Sequence, residues 1–506
     1  MTRGAGVAAW QRRISTALVV LIPLSIVAVS CWRIAFLDPT DRFFDDFFYY
    51  VEVGRNWVHG HGSTFFPGEP TNGYHPLWFL WLAALLRIFG DGPAFFAAVD
   101  LSIAGLLVGF FFLFRAFVRQ VTGRDFTAVV GAGVALIAIA PRAMWGLEMA
   151  LTVFAVAAVL HWLTGRPWSG RNALVAGALV SFMVLSRLDS AALIPGIVVA
   201  TFGSASWKSR WLFVAGMFPI AAYAIFNFAL YGHVSTTSMA AKSLASYLPP
   251  NWNSITTESP FGGARELAVG VAMVVVLVLV RHTTGRVVCR LAIALATAPA
   301  LESVAQLVFS GWGTYPWYWY FDFMTLGLAA ALIAERLMRT SISGWPTTVF
   351  AVLLVLVSYP LSFTGGLQPN RDIAALARQL NTFAAGHPGV YAMGDAAGTP
   401  GWLIGRPIVH LEGLMMSHGF LDRIRHHQSL PEVFRDYRVD YYVAVRSTGP
   451  DADGCPVFEE PNPSQSSPRA PHLTATVCAE PLAVLGVSDH YRVRIYAVDP
   501  ATGVIG

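Results

Sequence analysis

A chain that carries one apolar run after another, each about 20 residues long, has few folds open to it. The first run is 14–36. Others follow near 94–117, 125–141, 147–164, 171–186, 189–204, 211–231, 264–282, 286–309, 317–337 and 345–363. Runs of this length cross a hydrocarbon layer of about 30 Å as helices. Inside lipid a helix pairs its own backbone polar groups, which an irregular chain cannot do. Only 13% of the 506 residues are charged, against roughly 25% in a soluble domain. The expected fold is a polytopic α-helical membrane protein with about 11 transmembrane helices, not a soluble enzyme on one anchor.

Charge placement orients these spans. The N-terminus carries Arg3, Arg12 and Arg13, and basic connectors stand at Arg115/Arg119/Arg124, Arg166/Arg171, Lys208/Arg210, Arg281/Arg286 and Arg336/Arg339. Placing them in the cytoplasm satisfies the positive-inside rule. The parity then closes with the N-terminus inside and the C-terminus outside the cell membrane. Ala28–Cys31 faintly matches a lipoprotein cleavage box. Trp32 follows it and the apolar run continues to Leu37, so the first helix is expected to be retained. The same parity leaves His75–Phe89, short and rich in Trp, as an interfacial or half-immersed helix. The alternative is that it crosses and another pair of spans merges.

Residues 1–363 therefore form a membrane domain with a first outer loop at 37–93, and 364–506 form a second domain outside. The stretch 371–385 has the pattern of an amphipathic helix. Segments 389–395, 406–413, 439–445 and 491–498 read as short strands, which together indicate a small α/β domain. Outside the cell Cys455 and Cys478 can form a disulfide over a Pro/Ser-rich loop, with two isolated thiols as the alternative.

Polar residues collect on the outer side. The first loop carries Asp41, Asp45, Asp46, Glu52, Arg55, His59, His61, Glu69 and His75; later turns carry Arg142, Glu148, Arg187, Asp189, His233 and Lys242. Charges at a membrane are costly and by default functional. Asp45, Tyr49, Glu52 and Asn56 share one face of a helix. The two aspartates stand at its N-terminus, which favours anions. They are either a general base or metal-binding pair, or an N-cap and a solvated first turn. Nothing in the basic residues suggests nucleic-acid binding.

The first loop, from Asp45-Asp46 through "GRNWVHGHG" (54–62) and "PTNGYHPLW" (70–78) to Phe89-Gly90, resembles that of GT-C superfamily glycosyltransferases. "WGLEMAL" (145–151) is similar to the family's Gly-Met-Glu-Thr turn, with Met149 in place of Thr. "SRLDSAALIP" (186–195) is similar to its Arg-x-Asp turn. "YGHVSTTSMAAKS" (231–243) is similar to its lysine loop, with Ser235 near the usual proline. The stretch 394–415 resembles the start of the outer domain of many bacterial members. Actinobacterial arabinofuranosyl- and mannosyltransferases of the cell envelope are the nearest in style.

The resemblance implies glycosyl transfer from a polyprenyl-phosphate sugar donor to an envelope glycan or lipid acceptor, in contact with membrane lipids and with inversion. Asp45 is implied as general base with Asp46 beside it. A divalent metal (Mg, Mn or Ca) on that pair is left open, because no second Asp-x-Asp or His cluster stands at metal spacing. Sugar hydroxyl attack needs a base, and a phosphate leaving group needs positive charge. Lys242 is the first choice for that charge, then Arg187, with His75 as a further phosphate ligand. The bland readings are a solvated loop cation for Lys242 and a cap or core role for His75. Tyr74, Glu148, Asp189, Tyr315, Trp317 and Tyr318 are candidate substrate-binding residues. Against this, Glu148 and Asp189 can simply pair with Arg142 and Arg187, and the aromatics can form an interfacial belt. The rival functions are a lipid or sugar transporter or scramblase, for which no internal repeat speaks, and a non-catalytic envelope scaffold.

Overall fold

The computed structural model describes residues 2–244, 264–282, 285–340, 368, 370–447, 449–450, 454–462, 470–486 and 492–506. The expected span 345–363 and the expected domain boundary at 363 lie outside them. The other ten expected spans all fall on helix, beginning with Thr2–Phe36, Pro93–Thr122, Asp125–Ala143, Met149–Gly165 and Gly170–Ser186. The later ones fall on Leu188–Thr201, Trp207–Tyr231, Ala264–Leu279, Arg286–Phe309 and Tyr320–Thr340. Among the described residues, five helices are long and apolar enough to cross a membrane by length and composition alone. Of the other five, Met149–Gly165, Gly170–Ser186, Leu188–Thr201 and Ala264–Leu279 are shorter and Tyr320–Thr340 has 21 residues, while Trp207–Tyr231, one of the first five, is interrupted. Trp207–Gly216 gives way to Phe218–Tyr231 where Pro219, in the first turn of the second helix, can donate no hydrogen bond. Large apolar residues such as Leu24, Phe218, Ile225, Phe228 and Val271 stay exposed on these helices, as side chains facing lipid must.

Small residues bring the helices together. A Cβ at Gly131 would lie 2.7 Å from the Gly327 carbonyl oxygen, and one at Gly327 would lie 2.5 Å from that of Gly131. Asp125–Ala143 and Tyr320–Thr340 thus cross backbone to backbone, where dispersion replaces the missing hydrophobic drive. A buried ion group holds the start of the first loop. Asp100 faces Arg42 at 2.7 Å and Arg33 at 3.4 Å. Arg33 also donates to the carbonyls of Arg42 and Met144, both at 2.7 Å. The residues entering Asp45–Val58 are thereby tied to the 144–148 turn.

Pro76–Phe89 is a helix of 14 residues, about 21 Å long at 1.5 Å per residue. Leu80, Trp81, Ile88 and Phe89 are exposed along it. The helix lies along Asp45–Val58, where Gly54 leaves room for Leu86.

The C-terminal domain opens with the amphipathic helix Arg371–Gly386, which buries Ile373, Leu376, Ala377 and Leu380. Its sheet has the order β2-β1-β3-β8-β7. The strands are β1 Tyr391–Met393, β2 Ile408–His410, β3 Tyr441–Ala444, β7 Ala483–Gly486 and β8 Arg492–Ala497. β1 runs parallel to β2 and β3; β8 pairs antiparallel with β3 and β7. The helix Gly398–Ile404 makes the crossover from β1 to β2. A second sheet joins β4 Gly449–Pro450, β5 Pro456–Glu460 and β6 Leu473–Thr476, all antiparallel. The α/β reading of this region and its expected strands thus correspond to observed elements.

Cys455 and Cys478 are joined in a disulfide. The register of β5 on β6, with Val457 opposite Thr476, brings the residues just beyond each strand face to face. The bond closes a loop of 23 residues, worth roughly 3 kcal/mol on the chain-entropy model. Replacing both cysteines by serine is expected to lower the midpoint of the C-terminal domain's thermal transition. The reduced wild type should melt at the same lower temperature, and equal midpoints for reduced and oxidised protein would show that the bond adds nothing.

Candidate functional site

The two aspartates begin the helix Asp45–Val58, and successive positions send them in different directions. Asp45 is buried and turned to the C-terminal domain. Its oxygens accept the backbone N–H of Thr399 at 2.7 Å and of Gly398 at 3.1 Å. One turn on, the Tyr49 hydroxyl accepts the Ala397 N–H at 3.0 Å and lies 3.2 Å from His410 Nε2. The shared face expected from the spacing therefore exists, but it docks a domain. Further along, Glu52 pairs with Arg55 at 2.6 Å and Asn56 donates to the Thr64 carbonyl.

Asp46 is only half-buried and lines a cavity of ≈ 70 Å³, small beside the roughly 300–1,000 Å³ of ligand pockets. The cavity also takes Tyr50, His75, Glu148, Arg187, Lys242, Trp317 and Tyr318, with Leu414 and Met415 from the C-terminal domain. Burial and the adjacent Asp45 push the Asp46 carboxyl up to about 8, against the pull of Lys242. Lys242 ends the short helix Thr237–Lys242, which Thr236 caps. Thr237 N–H donates to Asn72 Oδ1 at 2.8 Å, so this helix is pinned to the first loop. Lys242 Nζ donates to the Tyr318 hydroxyl at 2.6 Å. Burial works against its charge, yet Tyr318 and Asp46 outweigh it and the ammonium is held more firmly than usual.

Arg187 sits just after Gly170–Ser186 and is 1% exposed. Its Nη1 meets Glu148 at 2.5 Å and the Trp317 carbonyl at 3.2 Å; its Nε meets both Asp189 oxygens at 2.9 Å. The pairing of Asp189 with Arg187 is the one read from sequence. Glu148 instead leaves Arg142, whose Nη1 donates to the Ala138 carbonyl one turn back. Glu148 also accepts from Tyr50 at 3.2 Å and stands 3.6 Å from His75 Nε2. Burial lowers the His75 pKa, with Glu148 opposing. Its Nδ1 accepts the Leu188 N–H at 3.3 Å.

The cavity thus brings together Asp46, His75, Glu148, Arg187, Lys242, Trp317 and Tyr318 from the sequence-derived set. Asp45 and Asp189 stand behind it. Tyr74 stacks on Phe79 at 3.9 Å and bonds Ser63, and Tyr315 stacks on Trp317 at 4.7 Å. Sequence reasoning missed Tyr50, Leu414 and Met415. Tyr50 was within reach, since it follows Asp46 by four residues on the same helix face. Among the described residues no three His, Cys, Asp or Glu side chains are grouped to hold a metal ion, and both Asp45 oxygens are taken by amides.

No family model matches the chain, and no curated protein matches it in sequence. Solved structures do match. An oligosaccharyltransferase of Archaeoglobus fulgidus superposes with a TM-score of 0.58 at 12% identity, over 85% of this chain and 69% of that one. ArnT of Cupriavidus metallidurans superposes with a TM-score of 0.54 at 13% identity, over 96% of this chain and 98% of that one. A second ArnT structure, bound to undecaprenyl phosphate, gives 0.51 at 12% identity, over 93% and 97%. The chain accordingly shares the fold of these proteins, with five of its described helices long and apolar enough to cross a membrane.

Proposed function

We propose that the protein transfers a glycosyl unit from a polyprenyl-phosphate sugar to an envelope glycan or lipid at the outer face of the cell membrane. The observation that carries this reading is one cavity in which a carboxylate, Asp46, and a firmly charged lysine, Lys242, lie between aromatic walls. Asp46 takes the proton of the attacking hydroxyl, and Lys242 neutralises the departing phosphate. Trp317 and Tyr318 offer faces on which a sugar ring can stack. The fold supports the reading, because ArnT has been solved with undecaprenyl phosphate and the archaeal enzyme with a dolichol-phosphate and an inhibitory peptide. The base moves from Asp45, favoured on the family pattern, to its neighbour, because Asp45 is occupied by two amides. The arabinosyl or mannosyl identity of the sugar, inversion at its anomeric carbon, and eleven spans with the N-terminus inside belong to the same proposal. They rest on motifs and charge placement.

Purified protein in proteoliposomes, given radiolabelled polyprenyl-phosphate pentoses and hexoses with envelope lipid extract, is expected to consume one of them. Consumption of none, alongside movement of the lipid between leaflets, favours the transporter reading. The pH dependence follows from Asp46. A base works when deprotonated, and its proton is held up to about 8. The rate is expected to rise with pH through that value and then level off. A kcat/KM that stays flat from pH 6 to 9 rules Asp46 out as the titrating group.

A further inference from the structure

Both loops that carry the proposed reacting groups are fastened to the C-terminal domain. On one side, Asp45 holds the amides of Gly398 and Thr399. The fit is tight, since a Cβ on Gly398 would lie 2.3 Å from the Asp45 carbonyl oxygen. On the other side, Thr237 Oγ1 donates to the Leu414 carbonyl at 3.2 Å. Thr237 opens the helix that ends at Lys242. The same carbonyl rests on Gly73, where a Cβ would come within 2.0 Å of it. Gly73 has an ordinary φ, so its need is for space alone. Between these two fastenings, Leu414 and Met415 reach the cavity itself. The segment after β2 is thus braced against the first loop and the lysine loop at once.

We propose that the C-terminal domain forms one wall of the transfer cavity, with Leu414 and Met415 setting which glycosyl unit fits and Asp45 acting as the positioning residue that keeps this wall in register with Asp46. This rests on the transfer reading above for its consequences, but the fastening itself is independent of it. A single apolar group in such a wall discriminates substrates by about 10–200-fold. Asp45 acts on the chemistry through Asp46 in two ways: by placing its helix and by raising its pKa with an adjacent charge.

The test has one arm without substrate and one with it. By hydrogen exchange, Asp45→Asn is expected to speed exchange of the Gly398 or Thr399 amide at least about tenfold, since each now bonds its own carboxylate oxygen and a carboxamide keeps only one acceptor oxygen, the other position becoming a donor. Gly73→Ala is expected to do the same for 411–416 while sparing 398–399, and it serves if Asp45→Asn does not fold. Unchanged exchange in both overturns the fastening whatever the activity. With substrate, Met415→Ala is expected to change the ratio of kcat/KM for polyprenyl-phosphate pentose over hexose by about tenfold or more. It should leave the pH profile in place; an unchanged ratio overturns the wall. In Asp45→Asn the residual rate should still climb with pH, its inflexion moved downward because the neighbouring charge is gone. If the climb vanishes, Asp45 is the base and not a positioning residue. If the wild type consumes no polyprenyl-phosphate sugar, the transfer reading falls and hydrogen exchange alone judges the fastening.

Discussion

Asp46→Asn is expected to lower the transfer rate by about 100-fold or more while the protein still folds and binds its donor. General-base catalysis contributes about 10²–10⁴-fold, and asparagine matches aspartate in shape but takes up no proton at working pH. The fold is not at stake, because Asp46 is half-buried at a cavity wall whereas Asp45 is packed under the C-terminal domain. The measurement is single-turnover consumption of radiolabelled donor, with lipid retention on the immobilised protein as the binding control. Asp45→Asn is expected to lose less and to keep its dependence on pH. Should the two variants exchange these behaviours, the division of labour proposed for the pair is reversed. A wild-type rate in Asp46→Asn places the base elsewhere altogether.

That division could not have been read from "DRFFDDFFYY". Helical spacing put Asp45 and Tyr49 on one face, and the structure has them there. What the face meets is decided by residues 397–399 and 410, some 350 positions away, and a local pattern carries no information at that range. The apolar helices between residues 2 and 340 were legible because a helix meant for lipid needs a long apolar run, and each of them falls on one. The helix at 371–386 and strands at 391–393, 408–410, 441–444 and 492–497 were legible for a related reason, since burial of one face leaves a period in the sequence. Lys242 and Arg187 were legible as charges in the connections between apolar runs. Their different settings were not, because the partners of Arg187 come from Glu148, Asp189 and the Trp317 carbonyl. Leu414 and Met415 left no signal, because an apolar residue that lines a cavity looks the same in sequence as one that fills a core.

Arg187→Met is expected to be a folding defect before it is a catalytic one. The guanidinium is 1% exposed and answers two carboxylates and a carbonyl. Removing it strands Glu148, whose side chain is 3% exposed, beside an Asp189 that is partly screened by solvent. Breaking such a pair from one side costs about 3–5 kcal/mol, read as a lowered melting temperature in detergent. Arg187→Lys should fall between, since an ammonium cannot span both carboxylates as the planar fork does. Arg187→Met with Glu148→Gln is expected to recover much of the loss, because no unpaired charge is then left deep in the protein. That rescued variant also separates stability from chemistry. Two carboxylates already answer the charge of Arg187, so it offers little field to a phosphate, whereas Lys242 keeps its charge against burial with a tyrosine hydroxyl as its hydrogen-bond partner. The rescued variant should therefore transfer sugar at a rate well above that of Lys242→Met. If the two are equally impaired while both stay folded, the phosphate is neutralised by Arg187 as much as by Lys242.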